Sequence, residues 1–111
     1  MMHDILRQLV AIGASDLHMS TGRKPRARLH GKLQDMDIPR LDEKAMAVCM
    51  RSIVDPQRYA EFEAEGDLDF AFELESVARF RCNYLRTQAG LAAVLRVVSD
   101  RVVPLESLNM P

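Results

Sequence analysis

The sequence lacks every common motif for holding or attacking a substrate. Its 111 residues contain no GxxxxGK[ST], GxGxxG or GxSxG pattern. The chain therefore has no phosphate-cradling loop, no dinucleotide-binding turn and no nucleophile elbow. We predict that this chain is not an enzyme by itself and carries no cofactor of its own.

Cysteine, histidine and aromatic residues are also scarce. Cys49 and Cys82 have no CxxC spacing, which favours two reduced core thiols. His3, His18 and His30 are too scattered to indicate a metal site. Aromatic residues make up 5% of the chain and tryptophan is absent, whereas there are seven methionines. This composition fits a small, adaptable core better than a base-stacking surface, so no nucleic-acid partner is expected.

Charge of one sign and long apolar runs are missing as well. The formal net charge is −1, so any anion site must come from local clustering. The longest apolar stretches, such as Leu91 to Leu95, are far too short to span a bilayer. Asp4 and Arg7 interrupt the segment where a signal peptide needs apolar residues. We expect a chain that is not exported and works in the cytoplasm.

Hydrophobic periodicity predicts an α+β fold. Asp42, and Asp55 followed by Pro56, are typical starts of two helices. The pattern predicts a helix over 1–12, a strand over 15–20, alternation over 25–33 with a hairpin turn at 30–32 into a strand over 33–38, helices from 42 and 56, and strands over 68–74, 78–87 and 91–98. Short links between strands indicate a mainly antiparallel sheet of about six strands with helices packed on one face.

Arginines occupy the polar side of the last two predicted strands. If these strands form a hairpin about Gly90, Arg81 and Arg96 lie on corresponding sides of neighbouring strands. Arg26 and Arg28 are candidate neighbours from the earlier hairpin. Guanidinium groups bind phosphate oxygens in pairs, so the pattern is compatible with a phosphate site.

An ordinary charged outer face explains the same arginines. In that interpretation they pair across the sheet with acidic residues, namely Asp67, Asp69 and Glu73, and the pattern alone favours it. The nearby Asp16 and His18 suggest acid–base chemistry, but no nucleophile accompanies them. We therefore interpret that pair as a structural hydrogen bond.

Several segments, in order, resemble the N-terminal domain of the PilT-type type IV pilus retraction ATPases, members of the secretion ATPase superfamily. Any one segment is weakly specific, but the ordered set covers nearly the whole chain. The matching pieces are Gly13-Ala14-Ser15-Asp16-Leu17-His18, Gly31-Lys32, Asp67-Leu68-Asp69-Phe70-Ala71-Phe72, Ala78-Arg79-Phe80-Arg81-Cys82-Asn83, Val94-Leu95-Arg96 and Pro104-Leu105-Glu106-Ser107-Leu108.

The resemblance implies a PAS-like domain over residues 1–102 and, over 103–111, the start of a linker to a RecA-like ATPase domain. In that family, arginines of the accessory domain reach toward nucleotide phosphate, and the matching positions are Arg81 and Arg96. This favours the phosphate interpretation at these two residues, but not at Arg26, Arg28 or Arg79. Lys24-Pro25 and His30-Gly31 depart from the family pattern, which leaves retraction motor, paralogue and loading ATPase as alternatives.

For the parent protein the resemblance implies an ATPase that uses ATP and Mg²⁺ and assembles as a homo-hexamer. The expected partners are RecA-like ATPase domains of the same and neighbouring subunits and a pilus platform protein at the inner membrane. Two alternatives are a free-standing PAS-like sensor or interaction domain and an RNA-binding sheet. The sensor needs a polar pocket between sheet and helices, and the RNA-binding sheet needs exposed aromatics.

Overall fold

The computed structural model describes residues 1–99, and the predicted linker over 103–111 lies outside the described residues. The order of elements is the predicted one: a helix, three strands, two helices and three strands. They are α1 (Met2–Ala11), β1 (Asp16–Ser20), β2 (Arg26–Leu29), β3 (Lys32–Asp35), α2 (Glu43–Arg51), α3 (Pro56–Glu65), β4 (Asp67–Leu74), β5 (Ala78–Thr87) and β6 (Gly90–Ser99).

Side-chain caps and turn residues fix the ends of the elements. Asp42 accepts a hydrogen bond from the Ala45 amide at 2.8 Å, which satisfies a free N–H in the first turn of α2. Asp55 caps α3 in the same way, with Pro56 at the first helical position. Both predicted helix starts are confirmed.

All six strands form one antiparallel sheet in the order β3-β2-β1-β6-β5-β4. The β2–β3 turn has positive φ at His30 (51°) and Gly31 (81°), as a two-residue primed hairpin turn requires. Strand β1 pairs with β6, which joins the N-terminal and C-terminal groups of three strands. The predicted α+β fold with an antiparallel sheet is therefore confirmed.

One face of the sheet and all three helices share a single hydrophobic core. The helices contribute Met2, Ile5, Leu6, Leu9, Met46, Cys49, Met50, Tyr59 and Phe62, and the sheet contributes residues that include Leu17, Phe80, Cys82, Tyr84 and Leu95. Both thiols are free and buried, as predicted. Burial raises the pKa of the Cys82 thiol to about 12. Within residues 1–99, no helix has both the length and the apolarity to cross a membrane.

The third strand is shorter than the sequence pattern predicted. The alternation over 33–38 continues past Asp35, where β3 ends. Met36 and Ile38 are buried beyond that point, and the Ile38 amide donates to the Met36 carbonyl oxygen at 2.8 Å in a tight turn. The alternation therefore reflected burial. The Met36 amide still donates to the Pro25 carbonyl oxygen at 2.8 Å, but the ladder ends there because Pro25 has no N–H to donate in return.

Residues 1–99 place no unpaired buried polar side-chain group in the space between the sheet and the helices. Asn83 lies on the opposite side of the sheet, away from this space. The Tyr84 hydroxyl donates to the Met50 carbonyl oxygen at 2.7 Å. Among the described residues, every buried side-chain nitrogen or oxygen has a partner. This arrangement disfavours the sensor interpretation, and the burial of Phe80 and Tyr84 disfavours an RNA-binding sheet.

Candidate functional site

The sheet surface opposite the core, which we call the outer face, carries the candidate site. The register aligns one row of residues directly across five strands of this face. In order from β2 to β4 the row is Arg28, Asp16, Arg96, Arg81 and Ala71. The row therefore brings together three of the arginines named from the sequence. The Asp16 carboxylate lies between Arg28 and Arg96, and Arg81 follows on the far side of Arg96.

Arg81 and Arg96 lie directly opposite each other on β5 and β6, and both are exposed. Within residues 1–99, neither forms an ion pair with a carboxylate, whereas Arg79 pairs with Glu73 at 3.4 Å. Two like charges at directly opposed positions of an antiparallel pair repel each other. The expectation that these two guanidinium groups share one side of the sheet agrees with the geometry.

A surface depression of about 270 Å³ surrounds the arginine pair. It is lined by Asp69, Arg81, Cys82, Asn83, Val94 and Arg96. The two guanidinium groups supply up to ten N–H donors by their chemistry, in planar forks that match phosphate or carboxylate oxygens. The depression can therefore accept an anion that is presented from outside the described residues.

Asp16 is the one buried charged residue among the described residues, with 6% of its surface exposed. It accepts hydrogen bonds from Ser15 Oγ at 2.6 Å and from Arg28 Nε at 3.3 Å. His18 Nε2 lies 2.5 Å from its second carboxylate oxygen. Burial by itself raises the pKa of this carboxyl, but the hydrogen bonds from its three neighbours outweigh burial and hold the pKa below 3.8.

Asp16 and its three partners, Ser15, His18 and Arg28, form a hydrogen-bond network with a structural role. Ser15 and His18 both bond to the carboxylate, and no hydrogen bond within residues 1–99 joins Ser15 to His18. A nucleophile–base pair needs that direct contact, so the arrangement does not activate the serine. The predicted hydrogen bond between Asp16 and His18 is confirmed. The sequence did not reveal Ser15 and Arg28 as further partners.

No group of metal-ligating side chains occurs in the part of the chain that the structure describes.

Replacing Asp16 by asparagine is expected to remove part of the acid sensitivity of the fold. Because the folded-state pKa of Asp16 is depressed, its stabilisation is full above the ordinary value of 3.8 and is lost as the pH falls through the lower, folded-state value. At pH 7, Asp16→Asn is expected to cost about 1–3 kcal/mol, since Arg28 and His18 lose a charged acceptor.

The measurement is urea unfolding of both proteins at pH 7 and pH 3. We expect the stability difference between them to shrink at the lower pH. Asp37→Asn, at an exposed loop position, is the control and is expected to change stability by less than about 0.5 kcal/mol. A difference that stays constant between the two pH values would contradict the role given to the Asp16 carboxylate.

No protein-family model matches the chain. The type IV pilus retraction ATPase PilT of Pseudomonas aeruginosa is 36% identical to it over 98 residues, which cover 88% of the chain and 28% of that protein. A twitching motility protein of Neisseria gonorrhoeae is 32% identical over 87 residues, covering 78% of the chain and 23% of that protein.

A crystal structure of the pilus retraction motor PilT with bound ADP has a similar fold, with a TM-score of 0.80 and 28% identity. The similarity covers 98% of the chain and 32% of that structure. The chain thus spans between about a quarter and a third of the length of these relatives.

Proposed function

This chain is homologous to the N-terminal domain of the PilT-type ATPases of the secretion ATPase superfamily, and we propose that it is the accessory domain of a type IV pilus retraction motor. In this proposal residues 1–102 form the domain and residues 103–111 begin the linker to a RecA-like ATPase domain. The parent protein hydrolyses ATP with Mg²⁺ and drives twitching motility from the cytoplasm.

The observation that carries the proposal is the arginine pair. Arg81 and Arg96 face each other across β5 and β6, are exposed and have no carboxylate partner within residues 1–99. Mutual repulsion makes this arrangement unfavourable in the chain by itself. A bound phosphate would convert the repulsion into two charge-assisted contacts. We propose that this phosphate belongs to ATP held by a RecA-like domain.

The proposed assembly explains why the domain needs no nucleotide-binding loop of its own. The ATPase domain of the same or a neighbouring subunit of a homo-hexamer holds the nucleotide, and the outer face of this domain closes over its phosphates. Preorganised positive charge placed where negative charge develops lowers the barrier to phosphoryl transfer. Contact with a pilus platform protein would place the motor at the inner membrane.

An arginine-labelling experiment tests the proposed contact. The full-length parent protein is treated with phenylglyoxal, with and without a non-hydrolysable ATP analogue and Mg²⁺, and each arginine is quantified by mass spectrometry. We expect the analogue to lower the labelling of Arg81 and Arg96, because a guanidinium group that is hydrogen-bonded to phosphate oxygens is less available to the reagent. Arg79, on the same strand and face but paired with Glu73, is the internal control and stays unprotected. If the analogue changed the labelling of Arg81 and Arg96 no more than that of Arg79, the result would contradict the proposal.

A further inference from the structure

Two carboxylates border the arginine pair, one on each side. Asp16 lies directly opposite Arg96 on the neighbouring strand β1. Asp69 lies on β4, opposite Asn83 and therefore diagonal to Arg81 on the same face. Diagonal neighbours in an antiparallel pair lie about 7–8 Å apart, within reach of an arginine side chain. Either carboxylate could thus neutralise one member of the pair.

Neither carboxylate does so, because each is held by other side chains. Asn83 Nδ2 donates to Asp69 Oδ1 at 2.7 Å. On the other side, the hydrogen bonds from Ser15, His18 and Arg28 already engage Asp16. Arg58 contacts the main-chain oxygen of Asp69 at 3.0 Å rather than its carboxylate. The Asn83 amide is therefore the one side chain within residues 1–99 that engages the Asp69 carboxylate.

We propose that Asn83 is a positioning residue that holds the Asp69 carboxylate away from Arg81 and so keeps the arginine pair available for an anion. This inference rests on the proposed function of the pair as a phosphate site. Without the amide, the Asp69 carboxylate would turn toward Arg81, its diagonal neighbour in the same depression of the outer face, and an incoming phosphate would have to displace it. The asparagine thus maintains affinity without contacting the anion.

The size of the effect follows from the exposure of the groups. An exposed carboxylate–guanidinium pair stabilises by an amount equivalent to about a two- to fivefold change in an equilibrium constant. An anion that must first break such a pair between Asp69 and Arg81 would bind more weakly by the same factor. We therefore expect Asn83→Ala to raise the dissociation constant for an anion by about two- to fivefold when Asp69 is present.

The test is a double-mutant cycle in the 111-residue chain. Pyrophosphate is titrated at low ionic strength, where surface charge is least screened, and binding is followed by the Nε–Hε signals of the arginine side chains in NMR spectra. Asn83→Ala is measured with aspartate at position 69 and again in an Asp69→Asn background. Gln34→Ala removes an exposed amide from β3 and serves as the control.

We expect Asn83→Ala to weaken pyrophosphate binding only when Asp69 keeps its carboxylate, because the asparagine acts through that group. Equal weakening in both backgrounds, or no change in either, would overturn the inference. Arg81→Ala and Arg96→Ala distinguish its failure from that of the proposed function. If these two variants bind pyrophosphate as the unmodified chain does, or if that chain does not respond to pyrophosphate at all, the phosphate site itself is refuted.

Discussion

Replacing Arg81 or Arg96 by alanine in the full-length parent protein is expected to lower its ATPase kcat by about a hundredfold or more. In the proposed assembly, each variant removes a preorganised positive charge from the site where the transferred phosphoryl group develops negative charge. Because both arginines are proposed to act on one phosphate, the double variant is expected to lose much less than the product of the two single losses. Steady-state hydrolysis of ATP by the purified assembly measures these rates.

Two further variants separate catalysis from general surface charge. Arg79→Ala removes an arginine from the same strand and face and is expected to change kcat by less than about twofold, because Arg79 already pairs with Glu73. Arg81→Lys keeps the charge but loses the planar fork, so partial activity is expected. An unchanged rate in both Arg81→Ala and Arg96→Ala would refute the catalytic contribution.

The same alanine variants are expected to fold as well as the unmodified chain. The two guanidinium groups oppose each other and have no carboxylate partner within residues 1–99, so removing one relieves repulsion. We expect an increase in the free energy of unfolding of about 0–0.5 kcal/mol. This separation of activity from stability would mark the pair as a functional feature.

Replacing Tyr84 by alanine is expected to have the largest effect on stability. Tyr84 is fully buried, and its ring meets Phe62 and Phe70 edge-on with centroids 5.8 and 4.9 Å away. Truncating a buried aromatic ring costs about 3–5 kcal/mol, and a domain of this size has about 5–15 kcal/mol in total. We expect urea denaturation to show the loss of at least about a fifth of the stability, and of most of it if the total lies near the lower limit.

Tyr84→Phe isolates the contribution of the hydroxyl group. This group donates to the Met50 carbonyl oxygen at 2.7 Å, and burial raises the pKa of Tyr84, so it stays a donor at every relevant pH. The variant leaves a buried carbonyl oxygen unpaired and is expected to cost about 1–3 kcal/mol. Phe72→Ala, at a half-buried position of β4, is the control for ring removal and is expected to cost less than Tyr84→Ala. Equal losses at the two positions would contradict this account of the core.

Local structure was predictable from the sequence because single residues determine it. Asp42, and Asp55 followed by Pro56, mark helix starts through the hydrogen bonds that their carboxylates accept. Alternation of apolar side chains identified β4, β5 and β6 and the face that each of them buries. The hairpin about Gly90 then placed Arg81 beside Arg96, because a short turn fixes the register of its two strands.

Contacts between distant strands were not predictable in the same way. The pairing of β1 with β6 joins residues that are far apart in the chain, and no local pattern specifies it. The burial of Asp16 between Arg28 and Arg96 depends on that pairing. The hydrogen bonds that Asp16 accepts from Ser15 and Arg28, and the one that Asp69 accepts from Asn83, depend on side-chain orientations, which an alternating pattern does not specify.

The most direct test of the arginine site is a structure of the full-length parent protein with a bound ATP analogue and Mg²⁺. The proposal predicts that guanidinium nitrogens of both Arg81 and Arg96 lie within about 3 Å of phosphate oxygens, the distance of a charge-assisted hydrogen bond. A structure in which the nucleotide is bound while both arginines face solvent, or pair with Asp69 and Asp16 instead, would contradict it.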